Sequence, residues 1–177
     1  MMSFSSASIE KNLFILKRRY DSAMASHRID GSLEAALYSK FALLEFCGWI
    51  EETIDAILLG YIDRTIPNIT IRETISKDIV CRVYGFKYKE EFRPLMERII
   101  GAQNFQHIIS QLSKRRCRDV MLKTMFADLI VARNRAAHTH WNPGITPQFD
   151  APSKIIDSYN QLKPILRSIE RMVNNIN

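Results

Sequence analysis

The sequence predicts an all-α fold, and three observations support that prediction. Apolar residues recur at steps of three and four along most of the chain, which is the period of amphipathic helices. No segment alternates convincingly between polar and apolar residues, so neither a parallel nor an antiparallel sheet has support. Glycine and proline number only 6 each among 177 residues, and no internal repeat divides the chain. We therefore expect an up-and-down helical bundle with long helices and an inserted helical middle region.

The length and composition indicate one domain. A chain of 177 residues with 46% apolar content can bury a real core, and we expect the domain to span residues 1–177, with 1–7 flexible. The N-terminus lacks the basic segment and apolar run of a secretion signal, and no apolar run approaches the ~18 residues that cross a membrane. Cys47, Cys81 and Cys117 form no Cys-x-x-Cys pair and are interpreted as reduced thiols. These features predict a soluble cytoplasmic protein.

Two amphipathic helices open the predicted fold. The first covers about residues 8–27, and a break at Asp30-Gly31-Ser32 separates it from a longer helix that runs to about Ile62. Ser32 is the candidate N-cap of that longer helix. The predicted inner face of the first helix comprises Ile9, Leu13, Leu16, Tyr20 and Met24. The main apolar stripe of the second comprises Leu43, Cys47, Ile50, Ile54, Ile57 and Tyr61.

The second helix also carries an acidic cluster, formed by Glu45, Glu51, Glu52 and Asp55. Glu51 has apolar residues at helical spacing on both sides and therefore lies beside the buried stripe, whereas Glu52 points away from it. Because a carboxylate at the edge of a core is well placed to face a cation, Glu51 is the candidate site residue of this helix. A solvated acidic face is the alternative.

The middle region, residues 63–103, is expected to be helical but divided. Asp63 to Ile69 is a turn region, and Thr70 to Glu73 has the form of a capping box that would begin a helix ending at Gly85. A shorter helix is expected over 87–100, interrupted or started at Arg93-Pro94, because proline disfavours helical backbone at the preceding residue. This insertion would shape substrate access or a partner surface.

Positive charge is concentrated between Gln111 and His140, where seven Lys or Arg residues and two Asp residues give a net charge of +5. Such a run is usually a solvated helix face. It can also guide a polyanion, because neutralising phosphates and releasing counterions supplies most non-specific nucleic-acid affinity. The candidate nucleic-acid contacts are Lys114, Arg115, Arg116, Arg118 and Arg135.

A long helix with Val120, Leu122, Met125, Phe126, Leu129 and Ile130 on its buried face leads into a cluster of polar residues. Arg133, Asn134 and His138 combine a permanent cation, an amide and a titratable imidazole, which is the chemistry of a phosphate site. On a helix, Asn134 and His138 are four residues apart and share a face, and the long Arg133 side chain can reach the same ring. The alternative is an ordinary helix C-terminus whose Arg and His complement the helix dipole.

The remaining chain is expected to form one more helix. Asn142 to Pro147 cannot continue the preceding helix, since it contains two prolines and a glycine. The last helix covers about residues 153–175 and should bend at Pro164. Its predicted inner face comprises Ile155, Ile156, Tyr159, Leu162, Ile165, Leu166, Ile169 and Met172.

The Arg133-Asn134-x-x-x-His138 string resembles the Arg-Asn-x-x-x-His motif of the HEPN superfamily, all-helical domains many of which are metal-independent RNases. The resemblance implies a core of four or five helices and endonucleolytic RNA cleavage that leaves a 2′,3′-cyclic phosphate, or a 3′-phosphate, and a 5′-hydroxyl. HEPN domains often carry a polar or acidic residue on an early helix near the Arg and His. The resemblance assigns that position to Glu51.

Chemistry supports roles for each catalytic candidate. Histidine titrates near neutral pH, so His138 can act as general base toward a ribose 2′-hydroxyl or general acid toward the leaving oxygen. Arg133 can contact two phosphate oxygens and stabilise charge in the transition state. Asn134 is better placed to orient the ring or a phosphate oxygen than to do chemistry.

Other site classes fit less well. His138 and His140 are two apart and would point about 200° apart on a helix, so a metal site is not expected. No phosphate loop, nucleophile elbow or dinucleotide fingerprint occurs, and no cofactor is expected. The main alternative to an RNase is a non-catalytic HEPN-like helical adaptor that binds a partner protein or nucleotide.

The expected partners are RNA, a second copy of the chain and, by resemblance to toxin systems, a cognate antitoxin protein. A dimer would supply a second histidine for in-line attack, which benefits from one proton acceptor and one donor. HEPN-like RNases commonly meet along their motif helices, and the small Ala136 and Ala137 would permit that close approach. The expected cleft combines His138 and Arg133 of both chains, with His140 as a local substitute for the second histidine.

Overall fold

The computed structural model describes residues 6–26, 30–139 and 148–176, and within them the chain is an all-α helical bundle without strands. The predicted fold class is therefore confirmed. The α-helices are α1 (Ser6–Ala25), α2 (Gly31–Thr65), α3 (Ile69–Ile75), α4 (Arg93–Ile100), α5 (Ala102–Ser113), α6 (Arg118–His138) and α7 (Pro152–Asn174). Two π-helical turns, Ser76–Val80 and Tyr88–Phe92, lie between α3 and α4.

The described residues form two compact units. One unit, called the motif unit below, comprises the described residues 6–26, 30–49, 129–139 and 148–161. The other, called the pocket unit, comprises residues 50–128 and 162–176. The division falls within α2, α6 and α7, each of which contributes residues to both units. None of the described helices has an apolar stretch long enough to cross a membrane.

In the motif unit, α1 buries most of its predicted face. Ile9 and Leu13 are 4% and 1% exposed, but Met24 is 58% exposed and the neighbouring Ala23 is buried instead. The prediction for Met24 is therefore wrong. Ala23 lies three residues after Tyr20 and Met24 four residues after it, so both positions fit helical spacing. The structure places the smaller Ala23 at the end of the buried face.

An aromatic cluster joins α1, α2 and α7 within the motif unit. The rings of Phe46 and Trp49 stack at 6.0 Å, and the edge of Tyr159 meets Trp49 with ring centroids 4.9 Å apart. The Tyr159 hydroxyl donates a 2.7 Å hydrogen bond to the Glu10 carboxylate. Edge-to-face aromatic pairs add stabilisation beyond their buried area, so this cluster positions the first half of α7.

The pocket unit has an aromatic core of its own. Phe126 of α6 meets Phe86 and Phe92 edge-on at 5.0 and 5.3 Å, and Phe92 meets Phe105 of α5 at 6.0 Å. All four phenylalanines are nearly or fully buried. This core holds the middle region against α5 and α6.

The middle region is helical as expected, but its boundaries differ. Asn68, not Thr70, caps α3, because its side-chain oxygen accepts a 3.1 Å hydrogen bond from the Ile71 backbone amide. The helix widens into the π-helical turn and stops at Cys81, before Gly85, whose φ is +115°. Near Pro94 the chain changes from the second π-helical turn to α4, which agrees with a helix started at Arg93-Pro94.

The long helices α6 and α7 agree with the periodic pattern, apart from one residue. Val120, predicted on the buried face of α6, is 55% exposed, while Leu122 and Phe126 are fully buried. Val120 lies two residues from Leu122, so one helix face cannot bury both. Helix α7 continues through Pro164, whose carbonyl accepts a 2.8 Å hydrogen bond from the Ser168 hydroxyl.

Candidate functional site

The predicted motif lies at the C-terminal end of α6, which ends at His138. Buried Leu129, Ile130 and Ala136 anchor this part of the helix in the motif unit. Because the segment is helical, Asn134 and His138 lie one turn apart on the same face. The exposed His138 is the last residue of the helix, where backbone carbonyls favour positive charge.

Arg133 and Asn134 are brought into contact. The Arg133 Nη1 atom donates a long hydrogen bond of 3.4 Å to the Asn134 side-chain oxygen. Both residues are half-buried. The motif therefore presents a fixed cation, a neighbouring amide and an exposed imidazole on one helix end.

Arg135 has structural partners within the motif unit. Its Nη2 atom donates a 3.2 Å hydrogen bond to the Gln148 carbonyl, and its guanidinium lies 5.5 Å from the centroid of the Phe149 ring. These contacts hold the chain at 148–149 against α6. Arg135 remains exposed, and its predicted RNA contact stays a prediction.

Lys40 of α2 is a site residue that sequence reasoning missed. Its Nζ atom donates a 2.8 Å hydrogen bond to the carbonyl of Thr139, directly after the motif. A lysine there complements the negative end of the helix dipole and brings a second cation to the motif. The sequence contains one indication of this role, because Lys40 is the only Lys or Arg between Gly31 and Asp63.

The two motif alanines differ in environment. Ala136 is fully buried within the motif unit, whereas Ala137 is exposed. The expectation that both leave room for a substrate or a second chain is therefore wrong for Ala136, since a fully buried methyl group has no surface to offer either. Only Ala137 offers a small residue at the surface.

Glu51 belongs to the pocket unit, whereas Arg133, Asn134 and His138 belong to the motif unit. It is half-buried, which agrees with its predicted place beside the apolar stripe, and one of its carboxylate oxygens is inaccessible to solvent. Burial raises the pKa of the nearby Asp55 carboxyl from 3.8 to about 6, and the negative charges of Glu51 and Glu52 add to the rise. Three carboxylates thus crowd successive turns of α2.

Glu52 and Asp55 border a groove between the parts of α2 and α7 that belong to the pocket unit. The groove has a volume of about 750 Å³, an apolar floor that includes Ile57 and Leu59, and an acidic rim. Its acidic residues are Glu52, Asp55, Asp63 and Glu170. Burial also raises the pKa of Glu170, although Arg167 and Arg171 oppose the shift. This groove, called the acidic groove below, is not predictable from the sequence beyond the α2 carboxylates.

The predicted basic run forms the turn between α5 and α6 rather than a helix face. Lys114, Arg115 and Arg116 are exposed there, and Arg116 has a φ of +58°. Arg118, the first residue of α6, is half-buried and donates a 3.3 Å hydrogen bond to the Ser168 hydroxyl. The run therefore divides into a solvated turn and an arginine that links α6 to α7.

Among the residues that the structure describes, no three His, Cys, Asp or Glu side chains cluster as a metal site would require. His140, the proposed substitute for a second histidine, lies outside those residues. No protein-family model, no curated protein and no solved structure matches this chain.

Proposed function

We propose that this protein is a metal-independent endoribonuclease of HEPN type. The observation that carries the proposal is the end of α6, where Arg133 contacts the Asn134 amide and His138 stands exposed one turn later. Lys40 adds a second cation next to the same helix end. This combination suits a phosphodiester, whose cleavage needs charge stabilisation and proton transfer.

In the proposed reaction, the ribose 2′-oxygen attacks the adjacent phosphorus as His138 accepts the 2′-hydroxyl proton. The bond from phosphorus to the 5′-oxygen breaks, and that oxygen receives a proton from a second acid. The products are a 2′,3′-cyclic phosphate and a 5′-hydroxyl. Arg133 stabilises the negative charge on the non-bridging oxygens, and Asn134 orients the ring or the phosphate. By the resemblance to HEPN domains, Glu51 is proposed as the acidic site residue of the early helix.

The second acid is proposed to be His138 of another copy, in a homodimer whose cleft combines His138 and Arg133 of both chains. The exposed Ala137 supports close approach at this helix end. An isologous contact would repeat each motif across one two-fold axis. From the resemblance to HEPN RNases, we further propose that the enzyme is a cytoplasmic toxin or defence effector that a cognate antitoxin protein inhibits.

The test of activity is incubation of the purified full chain with RNA in the presence and absence of EDTA. We expect cleavage in both, with cyclic phosphate and 5′-hydroxyl ends, and no cleavage where a single 2′-deoxynucleotide replaces the nucleotide at the cut. Activity abolished by EDTA, or efficient cleavage of DNA, would contradict the proposed chemistry. A non-catalytic adaptor would leave the RNA intact under every condition.

The shared cleft is tested by mixing chains. A heterodimer of wild-type and His138→Ala chains should have far less than half of normal activity, because its one shared cleft would lack a histidine. Half of normal activity would show that each chain works alone. Sedimentation at assay concentration supplies the control, since a fully active monomer would also refute the shared cleft.

A further inference from the structure

A second concavity of the pocket unit lies between α5 and the last turns of α7. Its volume is about 480 Å³, within the range of ordinary small-molecule sites. No Asp or Glu lines it. It is called the polar pocket below, and neither the motif nor the acidic groove includes its residues.

The polar pocket carries a row of hydrogen-bonding side chains. His107 and Gln111 are four residues apart on α5 and so share a face, and Arg115 follows them in the basic turn. Asn175 lines the pocket from the end of α7. Across the described ranges of the chain, none of these four side chains makes a hydrogen bond or an ion pair with another residue. Their donors and acceptors are thus available to a ligand.

The rest of the lining comprises Asn104, whose Nδ2 atom already donates a 2.8 Å hydrogen bond to the Ile100 carbonyl, and the apolar residues Ile108, Met172 and Ile176. Ile108 is buried, whereas Met172 and Ile176 are half-buried and present apolar surface beside the polar row. A ligand that uses every part of this surface needs an anionic group for Arg115 and His107. It also needs a flat apolar body for Met172 and Ile176, and polar edges for the amides of Gln111 and Asn175. A nucleotide has all three features, since its base is planar, its edges donate and accept, and its phosphate is an anion.

We propose that the polar pocket binds one nucleotide of a single-stranded RNA, with the phosphate at Arg115 and His107 and the base at Met172 and Ile176. Gln111 and Asn175 contact the base edge and give the pocket a base preference. The choice of RNA rests on the proposed function. A solvated basic turn alone would attract any polyanion. The pocket adds an apolar surface and the uncharged amides of Gln111 and Asn175, which can distinguish one base from another.

The distinguishing experiment therefore changes only uncharged residues. Fluorescence anisotropy with labelled single-stranded homopolymers of A, C or U would be measured on the full chain carrying His138→Ala, so that the RNA stays intact. The added double substitution Gln111→Leu, Asn175→Leu should weaken binding of the preferred homopolymer about tenfold. It should also remove the difference among homopolymers and leave the salt dependence unchanged. Unaltered affinity and base preference would overturn the pocket.

Arg115→Gln tests the phosphate contact. The slope of log affinity against log salt should fall by about one, the change expected for one lost phosphate contact. The matched control is Arg98→Gln on α4, an exposed arginine outside the pocket, which should alter the slope much less. Equal effects of the two substitutions would mean that Arg115 acts only as general surface charge. Circular dichroism confirms that each variant is folded.

Two further arms define the ligand of the polar pocket. Competition by AMP, CMP or UMP with the labelled RNA would show that the pocket accepts a free nucleotide as well as a strand. RNA that competes where mononucleotides fail would limit the ligand to the strand. Cleavage is measured separately, on chains with an intact His138. Base-specific binding without cleavage would refute the proposed RNase activity alone. Cleavage without base-specific binding would refute the proposed nucleotide site in the polar pocket alone.

Discussion

The end of α6 and the acidic groove both concentrate ionisable groups, but they arrange those groups in opposite ways. At the end of α6, unlike groups are neighbours, and Arg133 contacts an amide oxygen. Beside the groove, like charges are neighbours. Burial raises the pKa of Asp55 to about 6, and the negative charges of Glu51 and Glu52 add to the rise. A raised pKa marks a candidate functional group, yet burial, with repulsion from Glu51 and Glu52 added to it, explains the raised pKa of Asp55 without a catalytic role.

This difference favours chemistry at the end of α6 and electrostatic strain in the groove. Polyanionic RNA should avoid an acidic rim and approach an exposed cationic helix end. The α6 motif is visible in the sequence because its residues are local. The groove requires α2 and α7 to meet, so its effect on Asp55 depends on residues far apart in the chain.

The largest expected effect comes from His138→Ala. Removal of the general base should lower the cleavage rate by about a hundred- to ten-thousand-fold, the usual contribution of proton transfer. Gln106→Ala on α5, an exposed residue outside both the motif and the polar pocket, is the matched control and should keep the wild-type rate. Single-turnover cleavage measures both. Loss of cleavage in Asp55→Asn but not in His138→Ala would mean that the catalytic groups lie in the acidic groove and not at the end of α6.

Arg133→Lys should have the next largest effect. The substitution keeps the charge but loses the planar fork that contacts two phosphate oxygens, so the rate should fall about ten- to a hundredfold with little change in affinity. Arg98→Lys on α4 controls for an arginine at an exposed surface. Equal rates for Arg133→Lys and the wild type would show that charge alone is sufficient there.

Asp55→Asn tests the strain in the groove. Asp55 has an ordinary pKa of 3.8 and a pKa of about 6 in the folded protein, so between these values the fold holds a proton that the unfolded chain has lost. The free energy of unfolding therefore falls as pH rises through this window, and the destabilisation is complete above it. With a discount for solvent screening of this half-exposed group, Asp55→Asn should add about 1 kcal/mol above pH 7.

The stabilisation by Asp55→Asn should disappear near pH 4, where the folded protein already carries a protonated Asp55. Urea unfolding at both pH values measures it, with the exposed Asp157→Asn of α7 as the control. Equal free energies for Asp55→Asn and the wild type above pH 7 would show that the groove carries no electrostatic strain. Cleavage by this variant should stay within about twofold of normal.

Arg135→Gln should have the smallest effect. The variant loses the bond to the Gln148 carbonyl and the stack on Phe149, which together contribute about 0.5–1 kcal/mol at an exposed site. Thermal unfolding should show a Tm lower by about 2–4 °C. Arg19→Gln on α1, also exposed, should leave the Tm unchanged. A lower RNA affinity without loss of stability would instead favour the predicted RNA contact.

The fold class and helix positions followed from periodicity, but side-chain burial did not always follow. Met24 and Val120 fit apolar patterns and are exposed, because each has a neighbour that occupies the core, Ala23 and Leu122. A pattern identifies a helix face to within about one residue, roughly 100° of rotation. The exact edge of that face depends on the helices that pack against it.

The candidate site divides in the same way. Arg133, Asn134 and His138 are found from their spacing, since one helix positions all three. Lys40 was missed because its partner, Thr139, is 99 residues away, and the interaction of Arg118 with Ser168 spans 50 residues. No local pattern encodes such pairs, and Arg115 and Arg118 of the basic run differ only in what the fold places beside them.

The sequence by itself determined the all-α fold, the extent of the long helices and the chemistry available at the end of α6, because hydrophobic period and residue type act locally. Tertiary structure alone decided that Ala136 is buried and Ala137 exposed, that Arg135 holds Phe149, and that Asp55 is strained. Burial and the field of neighbouring charges depend on distances through space, and only packing sets those distances.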